Sequence, residues 1–308
     1  MCKQYKGSIF VLNISIGMPE LLPKITIVTP SYNQGAFIEQ TILSVIYQGY
    51  DNIEYFILDG GSSDNTVEVI KKYETHIDYW HSKKDNGQSA AINEGFAKAT
   101  GDILYWLNSD DILMPGTLLR IGNLFKDINA PTVIFGNCLH FHQTNFKKVR
   151  GSDVVDSKNK YKLSLHNYMI QPSAFWNRAA WVKAGVLNEE LCYTMDWEWF
   201  IRAEKSGVAF IPINDYLSLF RLHEVHKTSV KGQNNVRDVE LAKIYEMYNG
   251  ETIKRAFIKL KRITNKSKFM HNVIYAANHF HLRFISRLLH MVLVPSISYD
   301  EYNSISRM

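Results

Sequence analysis

From residue 24 onward, short β-branched runs alternate with stretches of helical periodicity, and each run ends in a cluster of polar or acidic residues. Residues 25–29 form the first such run, closed by Pro30, and Phe37, Ile38, Thr41, Ile42, Val45 and Ile46 follow at helical spacing. Residues 53–58 read as a buried strand ended by Asp59-Gly60-Gly61-Ser62, with a helix from near Asp64 carrying Val67, Val69 and Ile70. A third strand is expected over 77–81, a third helix over 88–98, and a fourth strand over 103–107 that ends in Asn108-Ser109-Asp110-Asp111. Strand, helix and strand repeated in this way imply parallel strands joined by right-handed crossovers, with helices on both faces. Ligands of such sheets bind at the carboxyl ends of the strands. The residues to weigh first are therefore 29–33, 59–64, 82–89 and 108–111.

Past residue 130 the helical repeat weakens. Residues 133–135, 138–141 and 146–149 read as short antiparallel strands, 167–177 as a polar and aromatic loop or strand, 196–206 as a helix, and 209–212 and 217–222 as strands. Near residue 235 the pattern turns to helices only. With 46% hydrophobic and 21% charged residues over 308 positions, the chain is neither disordered, collagenous nor a disulfide scaffold. Three cysteines at no metal-like spacing argue against a structural zinc site and for a reducing compartment. Residues 9–16 are apolar after Lys3 and Lys6, but Asn13 and Ser15 interrupt them and no small-residue cleavage site follows, so no signal peptide is expected. Met18 lies just before the first strand, which makes the opening 17 residues a lead-in or a mis-assigned start. Residues 269–294 are broken by Arg283, Arg287 and four histidines and do not read as a spanning helix.

No G-x-x-x-x-G-K-[ST] or G-x-G-x-x-G motif follows any strand, which weakens P-loop and dinucleotide-binding readings. The strand ends carry carboxylates instead: Asp59, Asp64, Asp85, Asp110 and Asp111. Carboxylates repel phosphate, so a phosphate ligand there needs a divalent cation between them, and hard oxygen donors suit Mg²⁺ or Mn²⁺. Each acid has a plainer use as well. Asp110 and Asp111 can cap the helix that begins near Pro115, and Asp59 can close the Gly60-Gly61 turn. Their recurrence at successive ends of one sheet favours a shared site.

Four segments carry a family resemblance: Thr29-Pro-Ser-Tyr-Asn33, Asp59-Gly-Gly-Ser-Ser-Asp64-Asn-Thr66, Asp85-Asn-Gly-Gln-Ser89 with Ile92-Asn93, and Trp106-Leu-Asn-Ser-Asp110-Asp111. In this order they resemble the motifs of family 2 glycosyltransferases with the GT-A fold, over residues 24 to about 230. The resemblance implies a Rossmann-like, mostly parallel sheet flanked by helices, and a nucleoside-diphosphate sugar donor, most often a UDP sugar. It places Thr29, Pro30, Tyr32, Asp59, Asp85, Ser89 and Asp110 at the donor nucleotide, Asp59 being set to accept from a uracil N–H. It also places a Mn²⁺ or Mg²⁺ ion at Asp110 and Asp111, where the second carboxylate reaches the metal on the diphosphate. Ala90 departs from the Asp that relatives often carry after Gly-Gln-Ser.

Met195-Asp196-Trp-Glu198-Trp-Phe200-Ile-Arg202 resembles the acidic motif that supplies the base of an inverting transferase, with Asp196 at the base position and Glu198 as second choice. Out of context the same stretch reads as an Asp-capped helix with packed aromatics. Phe220-Arg221-Leu222-His223 resembles an element whose His closes over the diphosphate and ligates the metal. Gln171, Trp197 and Glu198 are weaker candidates for acceptor or sugar contacts, and His226 and Lys227 for phosphate. His223-Glu224-Val225-His226 is one residue short of a zinc-protease H-E-x-x-H.

The net charge of +5 is unevenly placed: residues 254–294 hold nine Lys and Arg and no acid, which leaves the rest of the chain net acidic. Ile253, Ala256, Phe257, Leu260 and Ile263 share one helical face there, the pattern of a basic amphipathic helix. Two readings follow: contact with an anionic membrane through residues 250–294, or packing on the catalytic domain with a solvated basic face. The organisation expected is a lead-in at 1–23, a glycosyltransferase domain at 24–235 (nucleotide half 24–111, acceptor and base half 112–235) and a basic helical extension at 236–308. The expected protein is a cytoplasmic enzyme, peripheral at the inner face of the membrane, that passes a sugar to a saccharide or lipid-linked saccharide. A nucleotidyltransferase is the alternative enzyme, but residues 29–35 lack the basic, Gly-rich loop it needs. A non-catalytic module binding membrane or nucleic acid leaves the strand-end acids without a role.

Overall fold

The structure, a computed structural model, describes residues 22–143, 145–223, 234–280 and 282–307. Residues 9–16 and the pair His226 and Lys227 lie outside them. The first half follows the alternation of the sequence: β1 (Ile25–Ser31), α1 (Ile38–Ile46), β2 (Ile53–Asp59), α2 (Thr66–Lys72), β3 (Tyr79–Ser82), α3 (Gln88–Lys98) and β4 (Ile103–Trp106). The four strands pair in parallel in the order β3-β2-β1-β4. Ser31 registers with Asp59 and Asp59 with Ser82, so the polar strand ends share one edge.

The second half comprises β5 (Ile112–Leu113), α4 (Thr117–Phe125), β6 (Thr132–His142), β7 (Asn145–Gly151), α5 (Val154–Lys160), β8 (Ala174–Asn177), α6 (Arg178–Ala184), α7 (Met195–Lys205) and β9 (Ala209–Leu222). They extend the same sheet as β4-β8-β6-β9-β5, with β7 beside β6. The expected short strand pairs are single long strands. Residues 133–135 and 138–141 belong to β6, and 209–212 and 217–222 to β9; the apparent gaps are irregularities near Asn137, where the ladder shifts register. The antiparallel pairing expected among 133–149 is that of β6 with β7; β4–β8, β8–β6 and β5–β9 are antiparallel as well, whereas β6 and β9 run parallel.

Both faces of the sheet are covered, which explains strands that read as continuous apolar runs. One face packs Ile27, Ile57, Tyr105 and Phe175 against Ile38, Ile42, Ile70 and Leu118 of α1, α2 and α4. The other packs Val28, Leu58, Trp106 and Trp176 against Ile92 and Phe96 of α3 and Trp199 and Phe200 of α7. The chain closes with α8 (Asn234–Asn249), α9 (Glu251–Lys266), α10 (Lys268–His279), α11 (Arg283–Leu293) and α12 (Tyr299–Ile305). Leu241, Tyr245, Phe257, Leu260, Tyr302 and Ile305 of this helical region join the second core. Among the described residues no helix is long and apolar enough to cross a membrane.

Candidate active site

At the edge where β1, β2 and β3 end, side chains lace the loops together. Asp59, fully buried, accepts from the Gly61 and Ser62 N–H groups at 3.1 and 2.8 Å, from the Ser62 hydroxyl at 2.5 Å and from the Ser82 hydroxyl at 2.6 Å. These four donors match a carboxylate's usual capacity. Asp64 ties the neighbouring loop by accepting from the N–H groups of Gly35 and Thr66, both at 3.0 Å. Gly35 lets the chain pass close to that loop: a Cβ there would lie 1.9 Å from Asn65 Oδ1 and 3.0 Å from the Thr66 N. Thr29 shares a hydrogen bond of 3.2 Å with the Tyr55 hydroxyl in the core, and Pro30 is buried in β1. Tyr32, 63% exposed, stands over this edge. Asp85, half-buried, accepts from the Gly87 N–H at 2.8 Å and faces the bare Cα of Gly60, where a Cβ would be 3.0 Å from its Oδ2. Of the expected donor contacts, Tyr32 and Asp85 are therefore open, while Thr29, Pro30 and Asp59 form the wall behind them.

The β4 end meets the β9 end because β5, only two residues long, pairs Ile112 with Leu219. That pairing sets Asp110 and Asp111 beside Arg221 and His223. Asp111 is buried: its carboxylate accepts from the Arg221 N–H and from the Asn108 amide, both at 3.2 Å, and its carbonyl from the Thr41 hydroxyl at 2.7 Å. Asp110 is the more open of the two, with Oδ2 at 3.1 Å from His223 Nε2. The imidazole also lies against the Phe37 ring, centroids 4.3 Å apart and planes tilted by 38°. Arg221 donates from Nε to the Asp110 carbonyl at 2.9 Å and from Nη2 to Gln40 at 2.6 Å, its guanidinium lying between the rings of Phe37 and Phe141. Burial, and then the neighbouring Asp110, push the pKa of Asp111 well above the ordinary carboxylate range, against the pull of Arg221 and Asn108. Burial likewise lowers that of Arg221, against the two carboxylates.

Asp196 stands in the first turn of α7, half-buried, and its Oδ1 accepts from the Trp197 N–H at 2.7 Å, where the helix dipole favours a carboxylate. Its neighbour Met195 reaches that edge: the Ser89 hydroxyl at the start of α3 donates to Met195 Sδ at 2.7 Å and to the Leu191 carbonyl at 3.3 Å. Gln88, next to Ser89, donates to Asn108 at 2.8 Å, and Asn108 donates to the buried Gln171 at 3.3 Å. Trp197 is buried with its indole N–H on the Leu163 carbonyl at 2.7 Å. Glu198 is buried too, paired with Arg202 at 2.9 Å and accepting from the Tyr248 hydroxyl at 2.6 Å. Both serve packing of α7, and neither is open to solvent.

Residues 26–189 match the family described as Glycosyl transferase family 2. The chain belongs to glycosyltransferase family 2. An uncharacterised glycosyltransferase of Rickettsia typhi is 27% identical over 214 residues, 67% of this chain and 66% of that protein. One of Mycobacterium tuberculosis is 38% identical over 90 residues, 29% of this chain and 34% of its own length. Against two further Rickettsia relatives the chain spans only 31% and 30% of their lengths. The fold is that of GT-A glycosyltransferases. Staphylococcus aureus TarS (residues 1–349) in complex with UDP-GlcNAc superposes with a TM-score of 0.57 at 17% identity, covering 92% of this chain and 90% of that one. The mannosyltransferase PcManGT of Pyrobaculum calidifontis, in complex with GDP-Man and Mn²⁺, gives 0.53 at 15% identity over 94% and 87%.

For this family 2 glycosyltransferase the donor set suits a hard cation. Two adjacent carboxylates, one sealed and one partly exposed, adjoin an imidazole, with Arg221 the Lys or Arg that the described residues place against them. Among the described residues no three His, Cys, Asp or Glu side chains form a ready cage. Mg²⁺ at phosphate sites is held by one or two carboxylates together with the ligand's own oxygens, so no such cage is needed. Two further residues shape the site without a role of their own read from the sequence. Arg221 was legible only as part of a motif around His223. Glu240 of α8 accepts from the N–H groups of Cys192, Tyr193 and Thr194 at 2.8, 2.9 and 3.1 Å and from the Thr194 hydroxyl at 2.9 Å, and so pins the loop that leads to Asp196.

Proposed function

We propose that this chain transfers a sugar from a nucleoside-diphosphate sugar, UDP-linked in the first instance, to a hydroxyl of a saccharide or lipid-linked saccharide, with inversion at the anomeric carbon. The observation that supports this reading is Asp110 facing His223 at 3.1 Å, on the edge where Met195, the neighbour of Asp196, meets Ser89. The UDP-GlcNAc and GDP-Man bound by TarS and PcManGT support the donor class.

Tyr32 and Asp85 contact the base and ribose, with Thr29, Pro30, Asp59 and Ser89 shaping the wall. Asp110 and His223 would hold Mn²⁺ or Mg²⁺, with Asp111 behind them. When bound, the cation supplies positive charge to the diphosphate. Asp196 takes the proton from the acceptor hydroxyl as the oxygen bonds to the anomeric carbon; the bond to the β-phosphate oxygen breaks, and the nucleoside diphosphate leaves. Residues 24–111 form the nucleotide half, 112–235 the acceptor and base half, and 236–308 an extension whose stretch 250–294 meets an anionic membrane surface at the cytoplasmic face. A nucleotidyltransferase has no comparable support, since no Lys or Arg stands between Tyr32 and Phe37.

Calorimetric titration of UDP and a panel of nucleotide sugars, with Mn²⁺, with Mg²⁺ and with chelator, tests the site. Affinity is expected to fall about tenfold or more on chelation, and Asp110→Asn to do the same. Asp196→Asn is expected to bind donor normally while transfer or slow donor hydrolysis falls about 10²–10⁴-fold. Chelator-independent binding together with full turnover by Asp196→Asn would sink the mechanism.

A further inference from the structure

The face of α9 that the sequence offers to a bilayer is already in use: Ile253, Ala256, Phe257 and Leu260 are buried in the core shared with α7 and α8. Among the described residues a different helix is left with an uncovered apolar face. In α11, Ser286 is buried and Leu289 and Leu293 pack on the core. Phe284, Ile285, Leu288, Met291 and Val292 point away from it, with Phe284 81%, Met291 61% and Val292 68% exposed. Their spacing, i, i+1, i+4, i+7 and i+8, gathers them on one arc of the helix. Leu282, just before α11, and Phe269, in the first turn of α10, are exposed as well.

Cations border this arc. Arg283 and Arg287 lie along one side of it and line a recess of about 380 Å³ together with Lys160 and Arg307. The recess is organised by aromatic rings, Arg287 lying 5.4 Å from the Tyr299 ring centroid and Arg307 5.7 Å from that of Tyr161. Among the described residues Asp300 is the acid that lines it, and Asp156 pairs with Lys160 at its rim. From Thr252 to Tyr299 the chain has no acid at all. A second copy of the chain would bring the same cations to the same face, so the charge selects an anionic partner. At about 1.5 Å per residue, α11 is far too short to span the roughly 30 Å of a bilayer core, so an apolar arc of this kind lies in the plane of the interface.

We propose that α11 is an interfacial membrane helix: Phe284, Leu288, Met291 and Val292 enter the acyl boundary of an anionic bilayer while Arg283 and Arg287, with Arg307 and Lys160 in the recess, receive lipid phosphate. The proposal refines the membrane contact stated under Proposed function, moving it from α9 to α11, and is independent of the transfer chemistry.

The test is co-sedimentation of the full chain with vesicles of phosphatidylcholine alone and with about 30% phosphatidylglycerol, at low and high salt. Wild type is expected to pellet with the anionic vesicles only. Phe284→Gln/Leu288→Gln should lower the partition coefficient about 30- to 100-fold. Arg283→Gln/Arg287→Gln should lower it about 10- to 30-fold at low salt and much less at high salt. All four side chains are exposed, so melting temperature and UDP affinity should match wild type in both variants, which separates lost docking from lost folding or lost donor binding. Wild-type partition by Phe284→Gln/Leu288→Gln overturns the assignment to α11 even where the parent protein pellets. Absence of pelleting by the parent overturns membrane contact as a whole. A dimer in sedimentation velocity that the same variant abolishes gives the face to a second copy and overturns the proposal too.

Discussion

Carboxylates at the two edges of the sheet meet different partners. At the edge away from the site, Glu54 accepts from the Thr26 hydroxyl at 2.6 Å, the Thr100 N–H and hydroxyl at 2.7 Å, and Lys24 Nζ at 3.2 Å. Burial raises its pKa, but these donors outweigh burial and bring it from 4.5 down to about 2. A folded value below the unfolded one means that the stabilisation is complete above pH 4.5 and is lost as the pH falls toward 2. Glu54→Gln is therefore expected to cost about 1.5–3 kcal/mol near neutral pH and to flatten the acid limb of the stability curve. Urea midpoints measured across the acid range check this, and an equal loss at every pH would refute it. At the site edge, the placement of Asp59, Asp110 and Asp196 at strand ends or a helix start was legible from local pattern, while the roles expected of them came from the family resemblance. Arg221 and Glu240 were not, since their partners lie 110 and 46 residues away in the chain.

Elements here meet at close range through small residues. Helix α3 crosses β1 at Gly95, where a Cβ would lie 2.7 Å from both Val28 methyls and 3.3 Å from Leu58. Gly95→Ala is expected to cost about 1–3 kcal/mol despite the better helix propensity of Ala, because the strand's core face cannot retreat. Adding Val28→Ala should recover part of the loss in a double-mutant cycle read by thermal melting. Simple additivity would show that the two do not meet. The alternation of β1 to β4 with α1 to α3 was readable from local periodicity. The length of β6 and β9 was not, because a shifted ladder at Asn137 leaves a gap in the apolar pattern but no gap in the pairing.

Across the whole molecule, the helical region shares a core with the sheet domain. Phe257, Leu260, Tyr302 and Ile305 are buried in the same core as Trp197 and Phe200. At about 1.5–3 kcal/mol for each buried large side chain, their removal matches a typical domain's entire stability of roughly 5–15 kcal/mol. Truncation before residue 250 is expected to abolish a cooperative calorimetric transition, whereas a retained sharp melt would show that the extension folds apart. For the same reason membrane contact is read from point variants on α11.

Periodicity and turn chemistry are local, so the sequence alone settled the strand-helix alternation, the edge at which the acids gather and the family to which they point. Burial is not local: a side chain is covered only when a distant element arrives over it. The tertiary structure therefore decided which acids are sealed, as Asp59, Asp111 and Glu198 are, and which stay partly exposed, as Asp85, Asp110 and Asp196 do. It decided likewise that α9 turns its apolar face into the core while α11 leaves one outside.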